Sequence, residues 1–149
     1  MIGKVHLPPP LQEKMQTAPI ALLEDSIATR AERIYQEYIE FQWLEYEAHF
    51  AGRAAEEFSR YLIEAVDAIR KRLGNTAHSE VRGSVLAALK HQEQSGSLEG
   101  HREWITLLLA DYYDPMYNYQ LEKKSNRVKV IGSRDVVTDW LLKHAESFS

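Results

Sequence analysis

The residues best suited to chemistry form one basic run with tyrosines ahead of it. Lys123, Lys124, Arg127, Lys129 and Arg134 lie in a stretch with no acidic residue, and Tyr112, Tyr113, Tyr117 and Tyr119 come just before. Cations near aromatic faces supply what a single-stranded RNA loop needs: neutralised phosphates and a surface on which bases stack. Tyr117, Lys123, Lys124, Arg127 and Lys129 are the residues expected to meet such a ligand. The competing reading places Tyr113 and Tyr117, four apart on a helix, in the core and leaves the lysines solvated. Arg70-Lys71-Arg72 is a second cluster. Arg70 and Lys71 could touch RNA, although favourable placement at a helix C-terminus explains the cluster by itself. Arg30 and Arg33, three apart, could bind a diphosphate as a pair of guanidiniums, or could pair with Glu37 or Asp25. Glu24 and Asp25 read first as capping residues.

Other chemistries lack their parts. The 149 residues include no cysteine, which removes thiolate nucleophiles, disulfides and thiolate metal sites from this sequence. The histidines at 6, 49, 78, 91, 101 and 144 form no familiar metal spacing, so no metal site is expected. His101 with Trp104 is expected to pack the start of a helix. Gly96 to Gly100 has the spacing of a phosphate loop but lacks the following lysine and hydroxyl. The net charge is -4, with four basic and eight acidic residues in 1–50 and fourteen of each in 51–149. Any attraction to a polyanion must therefore come from a local patch. No opening segment has a signal pattern and no apolar run approaches membrane-spanning length, so a soluble, cytoplasmic protein without membrane contact is expected.

These side chains must be positioned mostly by helices. Residues 1–7 have no helical period, Pro8-Pro9-Pro10 extends the chain, and 11–17 suits a short helix. The apolar run Pro19–Leu23 reads as a buried strand. Asp25 or Ser26 can cap a helix carrying Ile27, Ile34, Tyr38 and Phe41 on its apolar face, continuing with a kink to Phe50. A helix over 54–73 has the stripe Phe58, Leu62, Ala65, Val66, Ile69 and Leu73 and stops at Gly74. A third, over 79–94, uses Val81, Val85 and Leu89. After a loop at 95–100, His101 to Tyr113 is helical, burying Trp104, Leu107 and Leu108. Asp114-Pro115 reads as a cap and first-turn proline opening a new helix to Lys124. Arg127–Ile131 alternates as a strand, and 135–144 forms a helix buried through Val136, Val137, Trp140 and Leu141. Two strands far apart, each followed by a helix, resemble the late part of a doubly wound parallel sheet, since two strands alone make a poor one.

Two stretches carry a family resemblance. One joins Ile2-Gly3, His6-Leu7-Pro8, Met15 and Leu23-Glu24-Asp25 to Arg30, Glu32, Arg33, Glu37 and Tyr38. The other joins Ser95-Gly96-Ser97, Gly100-His101 and Trp104 to the run from Tyr112 to Lys124, which contains Tyr-Tyr-Asp-Pro-Met-Tyr. With Ala68 to Gly74, these resemble the C-terminal part of the bacterial tRNA 2-selenouridine synthase family over nearly the whole chain. The resemblance implies a rhodanese domain and a P-loop domain ahead of a helical region. It also implies selenophosphate and geranyl diphosphate as substrates, and the wobble 2-thiouridine of a tRNA anticodon loop as the target. Arg30 and Arg33 are both retained by the family, which favours a phosphate-binding role in the full-length context.

The expected fold is therefore mainly α, a helical bundle-like domain with two short strands that would complete the parallel sheet of a missing P-loop domain. Residues 1–26 would end the P-loop-type domain, 27–125 would form the helical domain, and 126–149 would return to the α/β domain. Met1 matches an interior position of the family, so a fragment or a misplaced start is expected, with no cofactor of its own. Without the rhodanese cysteine and the phosphate loop, the chain is expected to be inactive alone. It would contribute tRNA binding and scaffolding, or else only brace the P-loop domain; an independent small enzyme is the third reading.

Overall fold

Local sequence signals start and stop most elements of the computed structural model, which describes residues 7–144. Helix α1, Pro9–Thr17, has proline in its first turn, where a missing N–H costs no intrahelical bond. Strand β1 is Ile20–Leu23. The Ser26 hydroxyl then accepts from the Thr29 N–H at 3.0 Å and opens α2, Ile27–Ile34. A π-helical segment, Tyr35–Glu40, leads without a break into α3, Phe41–Phe50. Helix α4 is Ala54–Ala68 and α5 is Arg70–Leu73. Gly74, at φ 84°, separates α5 from α6, Asn75–Ser95, which ends at left-handed Gly96. Helix α7, His101–Leu108, a second π-helical segment, Leu109–Tyr113, and α8, Asp114–Glu122, run on continuously. Strand β2, Val128–Gly132, and α9, Arg134–His144, follow. The expected mainly α fold with two short strands is what forms. The expectation of an irregular opening at 1–6 lies outside the described residues.

The chain divides into two compact units, residues 26–119 and residues 1–25 with 120–149. In the helical unit, Ala31, Tyr35 and Ile39 meet Phe58, Leu62 and Val66 of α4, Val81, Val85 and Ala88 of α6, and Trp104, Ile105 and Leu108 of α7. One polar group sits at the centre. His101 is fully buried; its Nε2 lies 3.1 Å from the Gln92 side-chain oxygen, and the Trp104 indole N–H donates to its Nδ1 at 2.9 Å. Both ring nitrogens are thus satisfied by a neutral imidazole, so burial leaves no orphaned polar atom there. His101 with Trp104 packs the helix start as the sequence suggests.

In the strand–helix unit, β1 and β2 pair in parallel, Ile20 opposite Val128 and Leu23 opposite Gly132, with an irregularity after Ile20. The Glu24 N–H extends the ladder to the Gly132 carbonyl at 2.9 Å. Exposure along β2 alternates as expected for a strand with one covered face.

Several expectations need correction. Tyr38 and Phe41 are exposed, and α2 with the π-helical segment after it buries Ala31, Tyr35 and Ile39 instead. The π-helical turn widens the helix, so a stride of four keeps one face where an ordinary helix would drift off it. Asp114 does not cap a new helix; it has helical dihedrals in a continuous one. The wider turn before Pro115 relieves the clash a proline ring makes with the carbonyl four residues back. The helix expected over 54–73 breaks at Ile69, and α6 begins at Asn75 rather than Ser79. Leu107 is only partly buried. Helix α9 has no buried residue, and Val136 and Leu141 are exposed, because a two-stranded sheet covers less than one helix face. For the same reason β1 is half-buried rather than buried.

Candidate functional site

The first arginine pair lies on α2. Arg30 makes a two-point bond to Asp114, Nη1 to Oδ1 at 2.5 Å and Nη2 to Oδ2 at 2.8 Å. This partner, 84 residues away, is not suggested by the sequence. Hydrogen bonding from Arg30 holds the Asp114 carboxyl below its ordinary value, against the opposing effect of burial. A diphosphate would have to displace the Asp114 carboxylate to use those two nitrogens. Arg33 is exposed on the same helix.

Arg102 is a residue that sequence reasoning missed. It pairs with Glu32, donates through Nε to Glu99 at 2.7 Å and lies 3.7 Å from the centre of the Tyr35 ring. Burial, with Glu99 and Glu40 nearby, pushes the Tyr35 hydroxyl up to about 12. Glu99, three residues earlier, is the one local signal for Arg102; Glu32 and Tyr35 share one helical stretch some 70 residues away, and nothing near Arg102 announces them.

Arg70 and Lys71 are exposed in α5, and Arg70 Nε lies 3.3 Å from the Asn75 side-chain oxygen. Arg72 beside them is hydrogen-bonded with Tyr112, which raises the arginine above its ordinary value. Tyr117, also in the helical unit, is 51% exposed and its ring stacks on Tyr113 with centroids 6.5 Å apart.

The rest of the basic run belongs to the strand–helix unit, where Lys123, Lys124 and Lys129 are exposed. Arg127 has a different role. Its guanidinium donates to three carbonyls at the end of α1 and just after it: Nη2 to Met15 at 2.7 Å, Nη1 to Gln16 at 2.5 Å and Nε to Ala18 at 2.9 Å. A cation there satisfies carbonyls that the helix end leaves without partners and opposes the negative end of the helix dipole.

Arg127 and Lys129 come together at an open groove of about 550 Å³ lined also by Thr17, Pro19, Asn126, Trp140 and His144. The Trp140 and His144 rings stack 4.5 Å apart at 20°. By sequence Trp140 reads as core and His144 has no role; their spacing of four on a helix is the available signal. The groove offers planar rings, a cation and polar edges. Among the described residues, no group of three His, Asp or Glu side chains is arranged to hold a metal ion.

Comparison with known proteins agrees with the sequence resemblance. The family model for the tRNA 2-selenouridine synthase AAA domain matches residues 1–148. A tRNA 2-selenouridine synthase from Marinobacter nauticus is 42% identical over 141 residues, covering 94% of this chain and 38% of the relative. One from Salmonella enteritidis is 41% identical over 94% of the chain and 39% of its own length. One from Pseudomonas fluorescens is 38% identical over 99% of the chain and 40% of its own length. The chain thus spans about two fifths of the length of the curated relatives it matches. No solved structure matches it. With a family model matched from end to end and relatives of this identity, the chain belongs to the tRNA 2-selenouridine synthase AAA domain family.

Proposed function

We propose that this chain is the helical and strand–helix part of an enzyme that converts wobble 2-thiouridine in tRNA to 2-selenouridine, and that its share is to hold tRNA and scaffold the reacting domains. The observation that carries the tRNA-binding share is the run from Lys123 to Arg134, rich in cations, free of carboxylates and largely exposed. In the reaction implied by the family, geranyl diphosphate alkylates the sulfur, and selenium from selenophosphate then displaces geranylthiol, a better leaving group than the unmodified sulfur. The rhodanese cysteine and the phosphate loop of that chemistry have no counterpart in this sequence. The chain alone therefore binds without turning over. Lys123, Lys124, Arg127 and Lys129, with Tyr117, Arg70 and Lys71, form the RNA-facing set, and Arg30 with Arg33 serves a diphosphate in the longer protein. Leu23, Ile131, Val136 and Leu141, all exposed, give further strands and helices of a P-loop domain an apolar surface to cover.

The test is tRNA binding by the purified chain at low and moderate salt. Affinity should fall steeply with salt, and Lys123→Glu with Lys124→Glu should weaken it by about tenfold or more. Equal binding by this double variant would remove the patch. A bracing role without RNA contact is the second reading, favoured by Arg127 and Arg30, whose guanidiniums are engaged within the protein. It expects no tRNA binding at any salt. Turnover of geranyl diphosphate with thiolated RNA by the chain alone would overturn both.

A further inference from the structure

We propose that the outward face of α3 is a docking site for a basic amphipathic helix of a second protein. Phe41 and Leu44 meet the apolar stripe of that helix, and the glutamates around them meet its lysines or arginines.

Helix α3 is apolar on two sides, and the fold uses only one of them. On the inner side, Trp43 and Tyr46 set their rings edge-on against buried Phe58, with centroids 5.4 and 5.3 Å away, which fixes the helix on α4. On the outer side, Phe41 and Leu44 are each 61% exposed, and α3 has no buried residue of its own. At about 100° per residue, Phe41, Leu44 and exposed Ala48 fall within about 60° of one another, roughly opposite Trp43 and Tyr46. Scattered apolar side chains need no partner, but a stripe on the far side of an anchored helix is one half of a helix-packing surface.

The charge around the stripe selects the occupant. From Ile34 to Gly52 the chain has four glutamates, Glu37, Glu40, Glu45 and Glu47, and no lysine or arginine. On the helical wheel Glu45 borders the stripe on one side and Glu47 on the other. Glu37 and Glu47 have no hydrogen-bond or ion-pair partner among the described residues, and Glu45 has His49 at 3.8 Å, a cation only when protonated. Such an unbalanced row attracts a cationic flank and steers its approach. It repels the phosphates of RNA and the anionic head groups of a lipid surface. A second copy of α3, packed stripe to stripe, would set glutamates against glutamates. The apolar residues given above to the further strands and helices of a longer enzyme, Leu23, Ile131, Val136 and Leu141, are in the strand–helix unit, whereas α3 belongs to the helical unit.

The probe is a fluorescein-labelled peptide of ~14 residues with leucine and lysine at helical spacing, titrated with the whole chain and read by anisotropy. The wild type should bind it, and should ignore both the same peptide with glutamate in place of lysine and a peptide of equal composition in alternating order. Phe41→Ala with Leu44→Ala should weaken binding by about tenfold or more. Both positions are exposed, so circular dichroism and the urea midpoint should keep their wild-type values. Glu45→Lys with Glu47→Lys should weaken binding comparably and flatten its salt dependence. A wild type that does not bind the peptide, equal binding by either double variant, or equal binding of the alternating peptide overturns the proposal. So does a concentration-dependent dimer that the alanine pair dissolves, which would make a second copy the occupant. A full-length family member that rejects the peptide would have its own domains seated on this face, and would overturn a second protein as the occupant.

Discussion

Residues 26–119 contain every fully buried side chain among the described residues, whereas the unit built from 1–25 and 120–149 contains none. Their charges differ as well. The helical unit has ten basic and fifteen acidic residues, a balance of -5, and the strand–helix unit has eight and seven, a balance of +1. The net charge of -4 hides this split. The acidic unit is closed around Phe58, Ile105 and His101, and so has the properties of a support. Its counterpart is open, near-neutral and locally basic, with side chains still available for other molecules. The comparison teaches that a closed core and an open, locally basic surface can be divided between two regions of one short chain, and that composition averaged over both describes neither.

The largest effect that could break this contrast is a cavity. Phe58→Ala, at a fully buried position, should cost about 3–5 kcal/mol in urea denaturation. Leu142→Ala, at 72% exposure, should change stability by less than about 0.5 kcal/mol. Similar losses at the two sites would show that the open unit is not open in solution.

Acid should come next. Burial lowers His101 from 6.5 to about 4. Between those values the unfolded chain binds a proton that the folded unit refuses, so stability is full above about pH 6.5, declines as pH falls and levels off below about 4. The accumulated loss is on the order of 3 kcal/mol. Thermal unfolding from pH 7 to 4 checks it, and a His101→Gln variant should have a flatter profile. An identical slope in wild type and variant would place the acid sensitivity elsewhere.

Smaller still is the bond between Arg30 and Asp114. Asp114→Ala should cost about 1–2 kcal/mol near neutral pH. Because the carboxyl is lowered from 3.8, the wild-type advantage is present above that value and disappears as pH drops through the lower, folded-state value. A difference that survives at the lowest pH would mean that the charge is not its source. The smallest change is a gain. Ala51 has φ 44°, a region that favours glycine, so Ala51→Gly should stabilise the helical unit by about 0.5–1 kcal/mol. A loss in denaturant midpoint would contradict the strain assigned there.

Much of this architecture is legible in the residues. Ser26 caps, Gly74 and Gly96 stop helices, and Val128 and Val130 alternate with Lys129, because each of these signals acts within a few residues. The failures come from longer range. Nothing local to Tyr35–Glu40 announces a π-helical turn, so the periodic stripe through Tyr38 and Phe41 points to the wrong face. Asp114 beside Pro115 has the composition of a cap, but a guanidinium from α2 engages it in the middle of a helix. Candidate cations could be named in advance, but not their occupations: Lys129 faces solvent, and Arg127 two positions earlier is tied to α1. The Trp140–His144 stack escaped because an apolar aromatic in an amphipathic pattern reads as core when the sheet beneath it is assumed to be wide.

The parallel partners Ile20 and Val128 stand about a hundred residues apart, and a coil of that length makes their meeting entropically slow and costly. Residues 26–119, once folded, replace most of that slack, and each halving of the effective span recovers about 0.6 kcal/mol. Arg30 and Asp114 lie near the two chain crossings of this unit, so their bond acts as a clasp on the entry and exit threads. The assembly order that follows is helices first and ladder last, which makes the two-stranded ribbon the part of the molecule most dependent on its neighbour being finished.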